Sequence, residues 1–171
     1  MSELKVLFTR EQIARRVEQM GEKITLDYAG EKVLLVGVLK GAAVFLSDLA
    51  RAIQLDATFD FISVSSYGNE KQTSGEVKLL KDVDQTLEGK HVILVEDILD
   101  TGRTLSHLRE LLGTRHPNSL QICTLLSKPE ARIVNVECEL IGFEIPNKFV
   151  VGYGLDWNEK YRNLPEIYVL K

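Results

Sequence analysis

Cysteine is scarce in this chain, and so is any concentration of positive charge. The two cysteines, Cys123 and Cys138, form no C-x-x-C pair and keep no zinc-ligand spacing with a histidine. A disulfide framework and a thiolate metal centre are therefore excluded, and the thiols read as small apolar residues of the core. Lys and Arg number 21 against 25 Asp and Glu, a net charge of −4. With no basic run there is no electrostatic footprint for nucleic acid or for an anionic membrane surface. Apolar runs are short: none approaches the roughly 20 residues of a membrane helix. The opening MSELKVLFTR lacks the apolar stretch of a secretory signal. Neither a G-x-x-x-x-G-K-S/T string nor a G-x-G-x-x-G fingerprint occurs, so a P-loop and a dinucleotide fold are set aside. Repeats, low-complexity tracts and Pro/Ser-rich linkers are missing too. The three histidines, His91, His107 and His116, form no cluster in the sequence and are assigned no chemistry. The expectation is one domain over residues 1–171, working in the reducing cytoplasm.

What is present is an ordinary globular composition, 44% hydrophobic and 27% charged. A chain of this size buries roughly 70% of its unfolded surface, so its core needs no disulfide or metal. Thr9 and Gln12 have capping-box spacing, and Ile13, Val17, Met20 and Ile24 form an apolar stripe behind them. That predicts a helix over about 9–28. Residues 32–39 form a β-branched run of strand length, followed by a helix over 41–53 and a strand over 57–64. Residues 65–76 are polar, contain glycine and have no period, which predicts a long loop. A weaker strand begins at Val77. Residues 90–97 are a second buried-strand pattern, 101–113 a helix, 119–126 a strand, and 140–143 and 149–153 two short strands. Strands alternating with helices predict an α/β fold, a mostly parallel central sheet with helices on both faces. Ligands of such sheets bind beyond the carboxyl ends of the strands. The loops after Leu39, Val95 and Leu126 are therefore the places to look.

The most informative segment is Val92-ILVEDILDTGRTL. Two adjacent carboxylates, Glu96 and Asp97, end a buried strand. That is costly unless cationic or hydroxyl partners meet them. They suit the hydroxyls of a ribose and the Mg²⁺ that accompanies a pyrophosphate. Asp100-Thr101-Gly102-Arg103-Thr104 then opens a helix. Gly102 lets the backbone come close to an anion. The free N–H groups of the first turn, with the hydroxyls of Thr101 and Thr104, can hold a phosphate monoester. The bland alternative is a helix cap at Asp100 and Thr101 beside a solvated acidic pair.

The string Glu96-Asp97-Ile98-Leu99-Asp100-Thr101-Gly102-Arg103-Thr104 resembles the phosphoribosyl pyrophosphate motif of type I phosphoribosyltransferases. Its Glu-Asp start is similar to the hypoxanthine-guanine branch. The resemblance implies that Glu96 and Asp97 hold the ribose hydroxyls, directly or through Mg²⁺, that Asp100 is the general base, and that residues 101–104 cradle the 5-phosphate. Arg103 stands where many relatives have lysine, a small departure if backbone N–H groups make the contact.

Four other segments carry the same resemblance. Leu39-Lys40-Gly41 is similar to the family's pyrophosphate loop, which implies a non-proline cis bond before Lys40; alone it would read as a turn with an exposed lysine. Ser66-Tyr67-Gly68 resembles the start of the family's mobile lid, and a plain surface loop fits equally well. Lys128 falls where the family places a donor to O6 of the purine; by spacing alone it would be a solvated charge. Glu144-IPNKFVVGYGLD is similar to the purine-binding segment, which implies that Phe149 stacks on the purine, that the Val150 backbone bonds its edge, that Asp156 binds a second Mg²⁺ and that Arg162 lies near the pyrophosphate. Without that likeness Phe149 reads as a core aromatic and Asp156 as a turn residue.

The implied fold has a small hood of N- and C-terminal segments over the base. The implied activity is purine salvage: hypoxanthine or guanine and phosphoribosyl pyrophosphate give IMP or GMP and pyrophosphate, with Mg²⁺. The resemblance implies a homo-oligomer, dimer or tetramer. Two alternatives stay open, a non-catalytic regulator that binds phosphoribosyl pyrophosphate and a transferase for another base such as xanthine.

Overall fold

The computed structural model describes residues 3–66 and 77–171. Tyr67 and the rest of the expected lid lie outside them. The main sheet has six strands, in the order β4(Val77–Lys81), β3(Ala57–Ser66), β2(Val33–Val38), β5(His91–Leu99), β6(Ser119–Ser127), β7(Leu140–Glu144). Every neighbouring pair is parallel except β3 and β4. The chain alternates strand and helix through β2, α2(Ala43–Ala52), β3 and β5, α3(Arg103–Gly113), β6. That alternation lets parallel strands sit side by side with helices on both faces.

The two faces are legible along single strands. On β5, Ile93 and Val95 face α1(Arg10–Asp27) and α2, while Val92 and Leu94 face α3. Strands buried on both faces have no polar side, which is why these runs read as continuous hydrophobics. The stripe on α1 is buried as its period requires, and Thr9 closes the expected capping box. The Gln12 N–H donates to Thr9 Oγ1 at 3.2 Å, and the Thr9 N–H donates to Gln12 Oε1 at 2.8 Å. On β7, an edge strand, the carbonyls of Ile141 and Gly142 accept from the Arg16 guanidinium of α1, each at 2.8 Å.

Two strands of the structure have no counterpart in the sequence reading. β1(Leu4–Phe8) and β9(Ile167–Leu170) pair antiparallel, and β9 also pairs with β8(Val150–Val151). This small sheet is the expected hood of terminal segments. Both strands are short, and among the described residues β1 is paired only with β9, more than a hundred and fifty residues away. The hood shares the core of α1 and α2: Val150, Tyr153, Leu155 and Ile167 pack in the same cluster as Ile13 and Phe45. Other boundaries move by a residue or two. β5 runs on to Leu99, past the acidic pair, and the last short strand covers only Val150 and Val151. No helix among the described residues is long and apolar enough to cross a membrane.

Helix α1 lies on α2 at a glycine. A Cβ on Gly21 would stand 2.5 Å from Ala52 Cβ and 2.6 Å from Ala52 O. Gly21→Ala would improve helix propensity but force the helices apart, for a net loss of ~1–2 kcal/mol. Thermal unfolding should show Tm lower by roughly 2–8 °C. A Tm equal to or above that of the parent would mean that the contact has slack.

Candidate active site

The carboxyl ends of β2, β5 and β6 bring the three expected loops together. After β2 the Leu39–Lys40 peptide is cis, as the resemblance implied. The turn is fixed by Leu39 N donating to Ile62 O at 2.9 Å and Ala42 N donating to Val38 O at 3.1 Å. Gly41 then passes under the acidic pair. A Cβ there would lie 1.9 Å from Asp97 Oδ2. On its other side Gly154, at φ +98°, leaves room for Gly41 O, which a Cβ would meet at 2.3 Å. Gly41 thus touches the Asp97 side chain on one side and the Gly154 backbone on the other because neither glycine carries a side chain.

The phosphate loop is built the same way. Gly102 has φ +89°, and a Cβ there would be 2.3 Å from Val134 O. Thr101 O accepts from the N–H groups of Ile133 and Val134, both at 2.9 Å, which locks the turn from behind. The N-terminus of α3 has no side-chain cap and no acidic residue in its first turn. Its free N–H groups and positive dipole end are therefore not neutralised by the protein, as an anion site requires. Of these groups Arg103 N makes only a long 3.4 Å contact, to Thr101 Oγ1.

Arg132, which the sequence reading passed over, joins this loop to the end of β6. Its Nε donates to Asp100 O at 3.2 Å and an Nη to Ser127 Oγ at 2.8 Å. Nothing local marks it: it is one arginine after a short 3₁₀ turn, Pro129–Ala131.

Glu96 is buried and Asp97 half-buried beside it. Burial pushes both carboxyls above the usual carboxylate range, Glu96 well above it, and the Asp97 charge adds to the rise at Glu96. Hydrogen bonds to Glu96 and to the Ile98 N–H, then the nearby Arg162 charge, hold the rise at Asp97 back. The pair is expensive as it stands, so it suits partners that supply positive charge or hydroxyl donors.

On the base side, Lys128 is only 7% exposed. Its backbone N–H donates to Leu99 O at 2.8 Å, and no described group accepts from its Nζ. The stem of this lysine is therefore packed rather than exposed, although its Nζ is not among the fully enclosed unpartnered atoms. Phe149 is 49% exposed beside fully packed Val150, so its ring is not part of the core. It is held by Leu170 N donating to Phe149 O at 3.0 Å. Ser66 ends β3 opposite Val77 of β4.

The segment after Gly154 brings charge to the Lys40 loop. Arg162 Nη1 donates to Gly154 O at 2.6 Å, and its Nη2 lies 3.4 Å from both Asp156 Oδ1 and Glu159 Oε1. Its Nε is buried without a hydrogen-bond partner among the described residues. Lys40 Nζ meets Glu159 Oε2 at 3.1 Å. Asp156 Oδ2 accepts from Glu159 N at 2.8 Å. No three described carboxylates, histidines or cysteines stand close enough to form a metal cage. Glu96, Asp97 and Asp156 are therefore not a preformed triad.

The chain thus offers loops packed backbone-close at glycines, a free helix N-terminus that suits an anion, a packed lysine and an exposed aromatic that suits a flat base. The chain belongs to the phosphoribosyltransferase family: the phosphoribosyl transferase domain model matches residues 4–158. Within it, the chain is 50% identical to a hypoxanthine-guanine phosphoribosyltransferase of Streptococcus thermophilus, over 98% of this chain and 93% of that one. A Mycobacterium avium protein of the same name is 50% identical over 96% of this chain and 84% of its own. Among solved structures, a hypoxanthine-guanine phosphoribosyltransferase of Bacillus anthracis superposes with TM-score 0.95 at 49% identity, covering 99% of this chain and 100% of that one. The chain is thus an enzyme of purine salvage, with the fold of this family.

The cost of the acidic pair can be measured. Glu96→Gln keeps the shape and the acceptor oxygen and removes one charge. In metal-free buffer its Tm should rise, by roughly 2–4 °C for each kcal/mol recovered, while turnover falls. An unchanged or lower Tm would mean that the site already compensates the pair.

Proposed function

We propose that this chain transfers the 5-phosphoribosyl group of phosphoribosyl pyrophosphate to hypoxanthine and guanine, giving IMP and GMP and releasing pyrophosphate. The observation that carries this reading is Lys128, 7% exposed and with no described acceptor for its Nζ; the ring of Phe149, 49% exposed, adds to it. An ammonium only donates, and in such a place it asks for an acceptor, as O6 of a 6-oxopurine is. Phe149 stacks on the base and the Val150 backbone bonds its edge. The curated relatives' name supports the same substrates.

The remaining roles follow the loops. The N–H groups at the start of α3, with Thr101, Gly102, Arg103 and Thr104, hold the 5-phosphate. Glu96 and Asp97 receive the ribose hydroxyls. Lys40, Gly41 and Arg162 bind the pyrophosphate. Purine N9 attacks the anomeric carbon, Asp100 takes the N7 proton, and the bond to pyrophosphate breaks as Lys40 and Arg162 neutralise the departing charge. Positioning and charge stabilisation supply most of the rate, with proton transfer adding about 10²–10⁴-fold. Ser66 and Tyr67 begin the lid that excludes water. Glu96, Asp97 and Asp156 are hard oxygen donors that fit Mg²⁺, and the lack of a closed cage suits an ion that keeps water and takes substrate oxygens. When bound, the metal supplies charge neutralisation on the polyphosphate. The whole chain, 1–171, works as one unit in the cytoplasm, as a dimer or tetramer.

Purine, phosphoribosyl pyrophosphate and Mg²⁺ should yield nucleotide, and EDTA should abolish it until Mg²⁺ is restored; full turnover in metal-free buffer would remove the metal. Asp100→Asn keeps the size but cannot take the proton. Its kcat should fall about 10²–10⁴-fold, with little change in binding of phosphoribosyl pyrophosphate. A kcat close to that of the parent would show that Asp100 is not a rate-determining base. Adenine presents an amino group to Lys128, so it should be disfavoured by about 10⁴-fold in kcat/KM. Lys128→Met should weaken use of both 6-oxopurines and leave the phosphoribosyl pyrophosphate site intact. Equal kcat/KM for adenine and hypoxanthine would sink the 6-oxopurine assignment.

A further inference from the structure

The two cations given to pyrophosphate are already held by a carboxylate. Glu159 Oε2 is 3.1 Å from Lys40 Nζ, and Glu159 Oε1 is 3.4 Å from Arg162 Nη2. One side chain thus spans both, one oxygen to each. Lys40 and Glu159 have side chains 68% and 63% exposed, so the contact is not part of the packed core. An exposed pair of this kind adds little to stability and is free to open. Glu159 is nevertheless ionised, since the bond to Arg162 and then the one to Lys40 hold its carboxyl below the usual range.

The backbone beneath Glu159 is the second observation. Trp157 and Lys160 exchange backbone hydrogen bonds at 3.1 and 2.9 Å across a two-residue turn. Both central residues have positive φ, Asn158 at 53° and Glu159 at 67°. Such a turn takes Asn first and Gly second. Asn158 obeys that rule and Glu159 breaks it. A γ-extended acid side chain in left-handed backbone is a strained choice, and the turn itself has no need of it. What the side chain gains there is its contact with the two cations.

We propose that Glu159 is a built-in counter-anion, which occupies Lys40 and Arg162 and has to be displaced by the pyrophosphate group of the substrate. This rests on the assignment of Lys40 and Arg162 to pyrophosphate. The carboxylate stands in for one phosphate oxygen pair, keeps two like-charged side chains aligned towards the same point, and returns to them as pyrophosphate leaves. It lowers affinity for the polyphosphate and in exchange lets the product go. Glu159 is a residue that tunes affinity by competition and takes no part in the bond making.

The test is titration calorimetry of phosphoribosyl pyrophosphate with Mg²⁺ against the whole enzyme and three variants. Glu159→Gln removes the charge and keeps the backbone strain; Glu159→Gly removes both. Each should tighten binding about three- to tenfold, the scale of one or two exposed ion pairs. Pyrophosphate release should slow in both. Lys40→Gln tests the underlying assignment and should weaken binding. If Lys40→Gln weakens binding while Glu159→Gln leaves it unchanged or weaker, the counter-anion is overturned and the pyrophosphate site stands. If only Glu159→Gly tightens binding, the effect belongs to the turn and the proposal also falls. Binding by Lys40→Gln equal to that of the parent takes down both the assignment and the proposal.

Discussion

Everything in the site depends on chain segments approaching one another closer than side chains allow. Gly41 sits against the Asp97 carboxylate on one side and against Gly154 on the other, with a Cβ at either glycine falling inside van der Waals contact. This contact fixes where the loop after β2 lies relative to the end of β5 and to the hood. Lys40, the acidic pair and Arg162 can then reach the same small volume from three different elements. Gly102 does the same for the phosphate loop against Val134. A binding site for a small, highly charged molecule needs donors closer together than packed side chains permit, and backbone packed on backbone is how the fold obtains that density.

The second organising fact is unbalanced charge. The site holds a buried acidic pair whose carboxyls are pushed up by burial, a buried lysine without a described acceptor for its Nζ, and a buried guanidinium nitrogen without a hydrogen bond among the described residues. Each is unfavourable in isolation. On the proposed assignment they complement a ligand with hydroxyls, a carbonyl and phosphates, and the free energy lost in folding would return on binding. Elsewhere the protein balances its buried charge: Glu139 is met by Arg109 and by the Ile122 N–H. Buried Asp60 is likewise met, by the N–H groups of Phe61, Asp84 and Gln85.

How much could be read in advance follows from the range of the interactions. The central strands and the three helices were legible because their signals are local: the stripe Ile13, Val17, Met20 and Ile24, the capping box at Thr9, and the runs 33–38 and 91–95. The motif from Glu96 to Thr104 was legible because strand end, acidic pair and helix start are contiguous. β1 and β9 were not, since Leu4 meets Leu170 across nearly the whole chain and neither run is apolar enough to declare itself. Arg132 and Glu159 were missed for the same reason. Their partners include Asp100 and Lys40, which only the folded chain brings near. Spacing alone read Lys128 as exposed, whereas it is 7% exposed and tied by its N–H to the end of β5.

Arg132 has a consequence for how the two halves of the site sense each other. One guanidinium holds the carbonyl of Asp100 and the hydroxyl of Ser127, the residue just before Lys128. On the proposed assignment, a phosphate held by the 101–104 turn would act, through these two hydrogen bonds, on the strand end that precedes Lys128. Linkage makes such an effect mutual: whatever free energy the sugar phosphate contributes to base binding, the base returns to the sugar phosphate. On that assignment the two substrates would be effectors of one another, with a single arginine as the shaft between them.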